Sequence, residues 1–137
     1  MRILIVESSY HATPADLLTD GALAALEKGA AEFVRVSVPG VLELPGAIAL
    51  AARGHNFDAY VALGCVIGAD TVCDALYRET LRGLMQLSVQ GICIGTGVVL
   101  AVDERGAMAQ SRDGDVGGDA ARAALALANL RERLAVL

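Results

Sequence analysis

The stretch DAYVALGCVI (residues 58–67) is the most continuous apolar run in the chain, and after Asp58 no charged residue follows until Asp70. It lacks the polar alternation of a strand with one wet face. A strand of this kind is covered on both faces, as in the centre of a parallel sheet with helices above and below. That requirement limits the whole chain to a layered α/β fold.

The flanking sequence agrees. RILIV (2–6) reads as a first strand, FVRVSV (33–38) as a half-buried strand with alternating faces, and GICIGTGVV (91–99) as a strand after the central one. Helical runs lie between them. PADLLTDGALAALEKG (14–29) has Pro14 in its first turn, an apolar stripe of Leu17, Leu18, Ala22, Leu23 and Leu26, and Gly29 as its stop. ELPGAIALAARG (43–54), DALYRETLRGLMQLSVQ (74–90), DERGAMAQ (103–110) and DAARAALALANLRERLAVL (119–137) are helices, with SRDGDVGG (111–118) as a loop. Alternating β and α runs predict a parallel sheet between helical layers. Ligands of such folds bind beyond the carboxyl ends of the strands. Those ends are read here as Glu7–Thr13, Val38–Glu43, Gly64–Thr71 and Thr96–Leu100.

Composition narrows the function. The length of 137 residues is that of one domain, 1–137, and 55% apolar against 4% aromatic residues means a core of Ala, Val, Leu and Ile. A net charge of −5 with Lys28 as the single lysine excludes the basic stripe that nucleic acid requires. No apolar run is long enough to span a membrane, and Met1-Arg2 leads straight into a strand and not into a signal peptide, which points to a cytoplasmic protein. The three cysteines lack zinc-like spacing; Cys65 and Cys93 read as small buried hydrophobes. Two histidines, His11 and His55, are too few for a metal site of several imidazoles; no metal is expected, and no cofactor.

Three segments could carry chemistry. In GCVIGADTVCDA (64–75), the Gly68-Ala69 turn between strand and helix has the shape of a phosphate site at a helix N-terminus, yet the next residue is the anion Asp70. Cys73 could have a lowered pKa near that helix end, but Asp70 and Asp74 flank it and oppose this. In VPGVLELP (38–45), Glu43 either complements the helix dipole or joins the backbone of Val41 and Leu42 in binding a polyhydroxylated ligand. In SSYHATP (8–14), Tyr10 is either loop packing or a stacking platform for a planar ring, and His11 either a surface histidine or a site residue.

Taken together and in order, VPGVLELP, ALGCVIGADT, RGLMQLSV, GTGVVL and GGDAARAALAL resemble the 6,7-dimethyl-8-ribityllumazine synthase family over almost the whole chain. The resemblance implies a flavodoxin-like three-layer α/β/α sandwich with a four-stranded parallel sheet, assembled as a homo-oligomer, a pentamer or multiple of pentamers, with sites between subunits. It implies condensation of 5-amino-6-ribitylaminouracil with 3,4-dihydroxy-2-butanone 4-phosphate through imine formation, phosphate loss and ring closure. Tyr10 falls at the aromatic that stacks on the uracil, with His11 beside it. Val41, Leu42 and Glu43 fall at the ribityl-binding segment, and Cys65, Val66 and Ile67 at the strand end beside the pyrimidine.

The phosphate half departs from the family pattern. The family's arginine is deleted here, and its glycine turn falls on Gly68, Ala69, Asp70 and Thr71, with Asp70 at a small or hydroxyl position. Its catalytic histidine falls on Val72, or on Cys73 one residue along. A phosphate-gripping arginine reaching in from the neighbouring subunit falls at Met108, and a lysine at Val116. Arg112 is the nearest remaining cation, and Thr96 lies at the fourth strand end. This pattern leads us to expect a divergent enzyme that condenses a ribitylaminopyrimidine-type ligand with a non-phosphorylated carbonyl compound. The alternatives are a non-catalytic lumazine or flavin binder, a scaffold, or an ordinary synthase. A chain starting at this point lacks the family's extra N-terminal strand, which favours a pentamer over a larger shell.

Overall fold

The computed structural model describes residues 1–54 and 56–137; His55 lies outside the described residues. The elements are β1 (Arg2–Ser8), α1 (Ala12–Lys28), β2 (Glu32–Val38), α2 (Glu43–Gly54), β3 (Ala59–Ile67), α3 (Thr71–Ser88), β4 (Ile94–Ala101), α4 (Glu104–Arg112) and α5 (Val116–Ala135). The four strands form one parallel sheet in the order β2-β1-β3-β4. Helices cover both faces, giving the flavodoxin-like three-layer sandwich. As its apolar run requires, β3 is internal and buried along all but its last residue.

Each face has its own core. Leu18, Ala22 and Leu26 of α1, Ala107 of α4, and Ala120, Ala121, Ala124 and Ala128 of α5 pack on Ile3, Ile5, Val61 and Leu63. On the other face, Val41, Leu44, Ile48 and Leu84 pack on Leu4, Val6, Tyr60 and Val98. The alternating side chains of β1 and β3 therefore feed two separate cores.

Several boundaries differ from the sequence reading, each for a local reason. α1 runs through Lys28, and Gly29 has an ordinary φ of −81°. The left-handed residue after it is Ala30 at φ 54°, whose neighbour Ala31 donates back to the Leu26 carbonyl. β2 is not half-buried: it is an edge strand, and Phe33, Val34 and Val36 are all exposed. β4 begins only at Ile94, because Gly91 at φ 94° turns the chain out of α3. The loop expected over 111–118 shrinks to three residues, 113–115, because α4 extends to Arg112 and α5 starts at Val116. Gly117 and Gly118 are buried helix residues, placed where α5 meets α1 and β4 without side chains between.

Candidate active site

The sheet order reverses between β1 and β3, since α1 leads out to β2 and α2 leads back across β1 to β3. At such a switch point the strand ends diverge and leave a crevice. A cleft of about 420 Å³ opens there. Ser8, Tyr10 and His11 line it from the end of β1, and Gly40, Val41, Leu42 and Glu43 from the β2–α2 connection. Cys65, Val66 and Ile67 come from the end of β3, and Cys73 and Leu76 from the first turns of α3.

Glycines set this geometry at two points. A Cβ on Gly64 would lie 2.7 Å from Val41 Cγ1 and 3.3 Å from Ser8 Cβ, so the bare backbone of β3 lets the Val41–Glu43 segment press against both strands. Gly68 takes φ +147°, and a Cβ there would lie 2.5 Å from the Cys73 sulfur. The turn after β3 therefore depends on glycine both for its backbone and for seating Cys73.

Asp70 answers the question its sequence position raises. It is the N-cap of α3, and its Oδ1 accepts from the Cys73 N–H at 2.8 Å. That hydrogen bond, first among its causes, holds the Asp70 carboxyl below its usual range. The carboxylate thus takes the place of an external anion at the helix end, and Asp70 does not line the cleft. Its charge is exposed to solvent and engaged by the helix.

Cys73 presents its sulfur to the cleft, 3.6 Å from the Ile67 carbonyl oxygen. The hydrogen bond with Asp70, followed by desolvation and the Asp70 charge, pushes its thiol pKa up. It is therefore a poor nucleophile at neutral pH, as the flanking aspartates suggested. Of the two positions open for the family's histidine, only Cys73 faces the cleft. Thr71 and Val72 face a neighbouring hollow with Ala75 and Glu79, which shares Leu42 and Leu76 with the cleft. Burial pushes the Cys65 thiol up to about 11.

Tyr10 stands out from the surface at 78% exposure, its ring edge-to-face with His11 at 4.9 Å and 85°. Gly68 and Ala69 form the turn beneath Cys73 without lining the cleft. Thr96 does not sit at a strand end: it is opposite Ala62 in the middle of the β3–β4 ladder, because β4 runs on to Ala101. Met108 and Arg112 lie on α4, which packs on the opposite face against α1 and β4, so neither lines the cleft of its own chain. Arg112 instead pairs with Asp113 at 3.5 Å. Val116 packs at the edge of the core beneath α1, α4 and α5, as the first residue of α5.

Ser8, Gly40 and Leu76 line the cleft without having been singled out from sequence. The signal for Leu76 was its spacing of three residues from Cys73, which puts both on one helix face. Ser8 ends β1 and does not belong to the loop in which the sequence pattern places it.

A 6,7-dimethyl-8-ribityllumazine synthase family profile matches residues 1–132. The chain belongs to this family. A lumazine synthase of Novosphingobium aromaticivorans is 43% identical over 135 residues, covering 96% of this chain and 97% of that one. One from Sphingopyxis alaskensis is 42% identical over 137 residues, covering 98% and 97%. A relative from Mesorhizobium japonicum, 6,7-dimethyl-8-ribityllumazine synthase 1, is 43% identical over 141 residues, covering 96% and 86%. Identity of this extent favours the ordinary lumazine synthase over the divergent enzyme, ligand binder or scaffold that the altered phosphate half suggested.

Proposed function

We propose that this chain is a 6,7-dimethyl-8-ribityllumazine synthase of riboflavin biosynthesis, acting in the cytoplasm as a homo-oligomeric ring, a pentamer. Its substrates are 5-amino-6-ribitylaminouracil and 3,4-dihydroxy-2-butanone 4-phosphate. The observation that carries this reading is the switch-point cleft, where Tyr10, Val41–Glu43 and Cys65–Ile67 converge from three separated segments. Its volume is that of a site for one ring and its side chain.

In this reading the pyrimidine stacks against Tyr10, whose exposed ring has a free face to offer. The ribityl hydroxyls meet the Glu43 carboxylate and the backbone of Val41 and Leu42. The strand end at Cys65, Val66 and Ile67 borders the ring edge. Holding the amine against the carbonyl carbon supplies much of the acceleration, since imine formation depends strongly on proximity. The phosphate is met by cations from a neighbouring copy. α4 supports this, because exposed Arg105 and Arg112 stand three residues before and four residues after Met108, on one helix face.

Incubating the purified protein with both substrates and following lumazine absorbance tests the reading. Product formed well above the spontaneous rate is expected, with Arg105→Ala/Arg112→Ala raising KM for the phosphorylated substrate more than for the pyrimidine. No product above the spontaneous rate would overturn it.

A further inference from the structure

We propose that the His11 imidazole carries protons between the reacting amine and carbonyl in the cleft. This rests on the synthase reading above. Imine formation needs such a carrier twice. A new N–C bond forms as the amine gives up one proton and the former carbonyl oxygen gains one. The C–O bond then breaks as a second proton passes from nitrogen to the leaving hydroxyl. Both amine hydrogens end in the water released, and the imidazole returns to its starting state.

The titratable side chains lining the cleft are Tyr10, His11, Glu43, Cys65 and Cys73. Both thiols are held in their protonated form, Cys65 by burial and Cys73 chiefly through Asp70. Glu43 opens α2 on the side where the ribityl hydroxyls are placed, and Tyr10 offers its ring face. Among side-chain types, imidazole is the one that both takes and gives a proton near neutral pH. Asp70 and Asp74 lie beyond Cys73 and do not line the cleft.

The position of His11 gives independent support. It is the N-cap of α1, where Ser, Thr, Asp or Asn would stabilise the helix through a side-chain hydrogen bond. His11 makes no such bond. Only its carbonyl serves the helix, accepting from Ala15 at 3.0 Å. Among the described residues, no side chain or backbone group hydrogen-bonds its ring nitrogens. The half-buried ring stands at 85° to Tyr10, beside the space where the pyrimidine would stack. A poor capping residue whose side chain lines the cleft fits a chemical role better than a structural one.

The test uses His11→Asn, which keeps a good N-cap, with His11→Gln as a second variant, both checked for unchanged oligomer mass and melting temperature. The expected result is a fall in kcat of about tenfold or more, KM values within about threefold, and partial restoration of rate by free imidazole. In ring-labelled full-length protein, the histidine signal missing from His11→Asn should shift when 6,7-dimethyl-8-ribityllumazine is added to the unmodified protein. An unchanged kcat, a fall that imidazole does not restore, or a His11 signal indifferent to the lumazine would overturn the proposal. No turnover by the unmodified protein would instead overturn the synthase reading, and this one with it; turnover that survives in His11→Asn overturns this one alone.

Discussion

The two faces of the sheet are packed on different terms. On the α1/α4/α5 face, α5 meets β4 and α1 backbone to backbone. A Cβ on Gly95 would overlap the Ala120 carbonyl, and one on Gly117 would overlap the Leu18 carbonyl. Alanines fill the remaining space. On the α2/α3 face longer side chains such as Leu44, Ile48 and Leu84 hold the helices off the sheet, while Leu50, Met85 and Val89 remain exposed. The cleft opens on this second face, where Val41, Val66 and Leu76 of the same core reach its wall. The closed face fixes the strand ends; the open face leaves apolar surface for ligand and for other copies of the chain.

Glycine substitutions break this comparison most directly. Gly117→Ala drives a methyl into backbone that cannot rotate away and should cost about 3 kcal/mol or more. Gly83→Ala, on α3 of the open face, meets only the Pro45 ring at 2.9 Å. Its gain in helix propensity of about 1 kcal/mol offsets that contact, so it should be near neutral. Denaturant unfolding of both variants at equal protein concentration compares them; equal costs would show the faces to be alike.

Much of the closed face was legible in the sequence. The apolar continuity of 58–67 and the stripe of α1 follow from period and burial alone, and both stand in the structure. GDVGG was misread because glycine in a sequence signals a loop as readily as a close approach; only the neighbouring backbone of Leu18 distinguishes them. At the cleft, Tyr10, His11, Val41–Glu43, Cys65–Ile67 and Cys73 are brought together, with Cys65 and Ile67 contributed from the closed-face side of β3. Thr96 lies inside the strand that the sequence marks at 91–99, and because the ladder runs on to Ala101 it stands well short of the strand end. Asp70 stays an open question in the sequence for a different reason: a charge read there has a sign but no direction, and the cap gives it one. Met108 and Arg112 sit on α4, away from the cleft of their own chain.

A smaller effect comes with pH, and it touches the cores of both faces. Cys65 belongs to the closed-face core, and burial raises its thiol from 9.0 to about 11. Below pH 9 both folded and unfolded thiols hold the proton and stability is unaffected. Between about 9 and 11 the unfolded chain loses it first, so stability falls as pH rises, by about 2–3 kcal/mol in all. Tyr60, raised mainly by burial and partly offset by Arg131, adds in the same direction. Cys65→Ala should flatten the alkaline slope relative to the unmodified protein, whatever its cost at pH 7. An unchanged slope in unfolding measured from pH 8 to 11 would show that the thiol is free to ionise in place.

The smallest changes to the fold should come from the open face, where the effect moves to the ligand. Tyr10→Ala removes a ring that is 78% exposed and whose ring contact is with His11. The free protein should therefore lose little stability. If the pyrimidine stacks there, lumazine binding should weaken by about 1 kcal/mol or slightly more, roughly a five- to tenfold rise in Kd. Glu43→Gln keeps the shape of the side chain but removes a charged acceptor, and should weaken binding by about 1 kcal/mol through the ribityl hydroxyls. Its melting temperature should change only by the small loss of a carboxylate in the first turn of α2. Calorimetric titration with 6,7-dimethyl-8-ribityllumazine beside thermal unfolding reads both quantities. If Tyr10→Ala melted early and bound normally, Tyr10 would be packing and not platform, and the division between a face that holds the fold and a face that holds the ligand would fail at its most exposed residue.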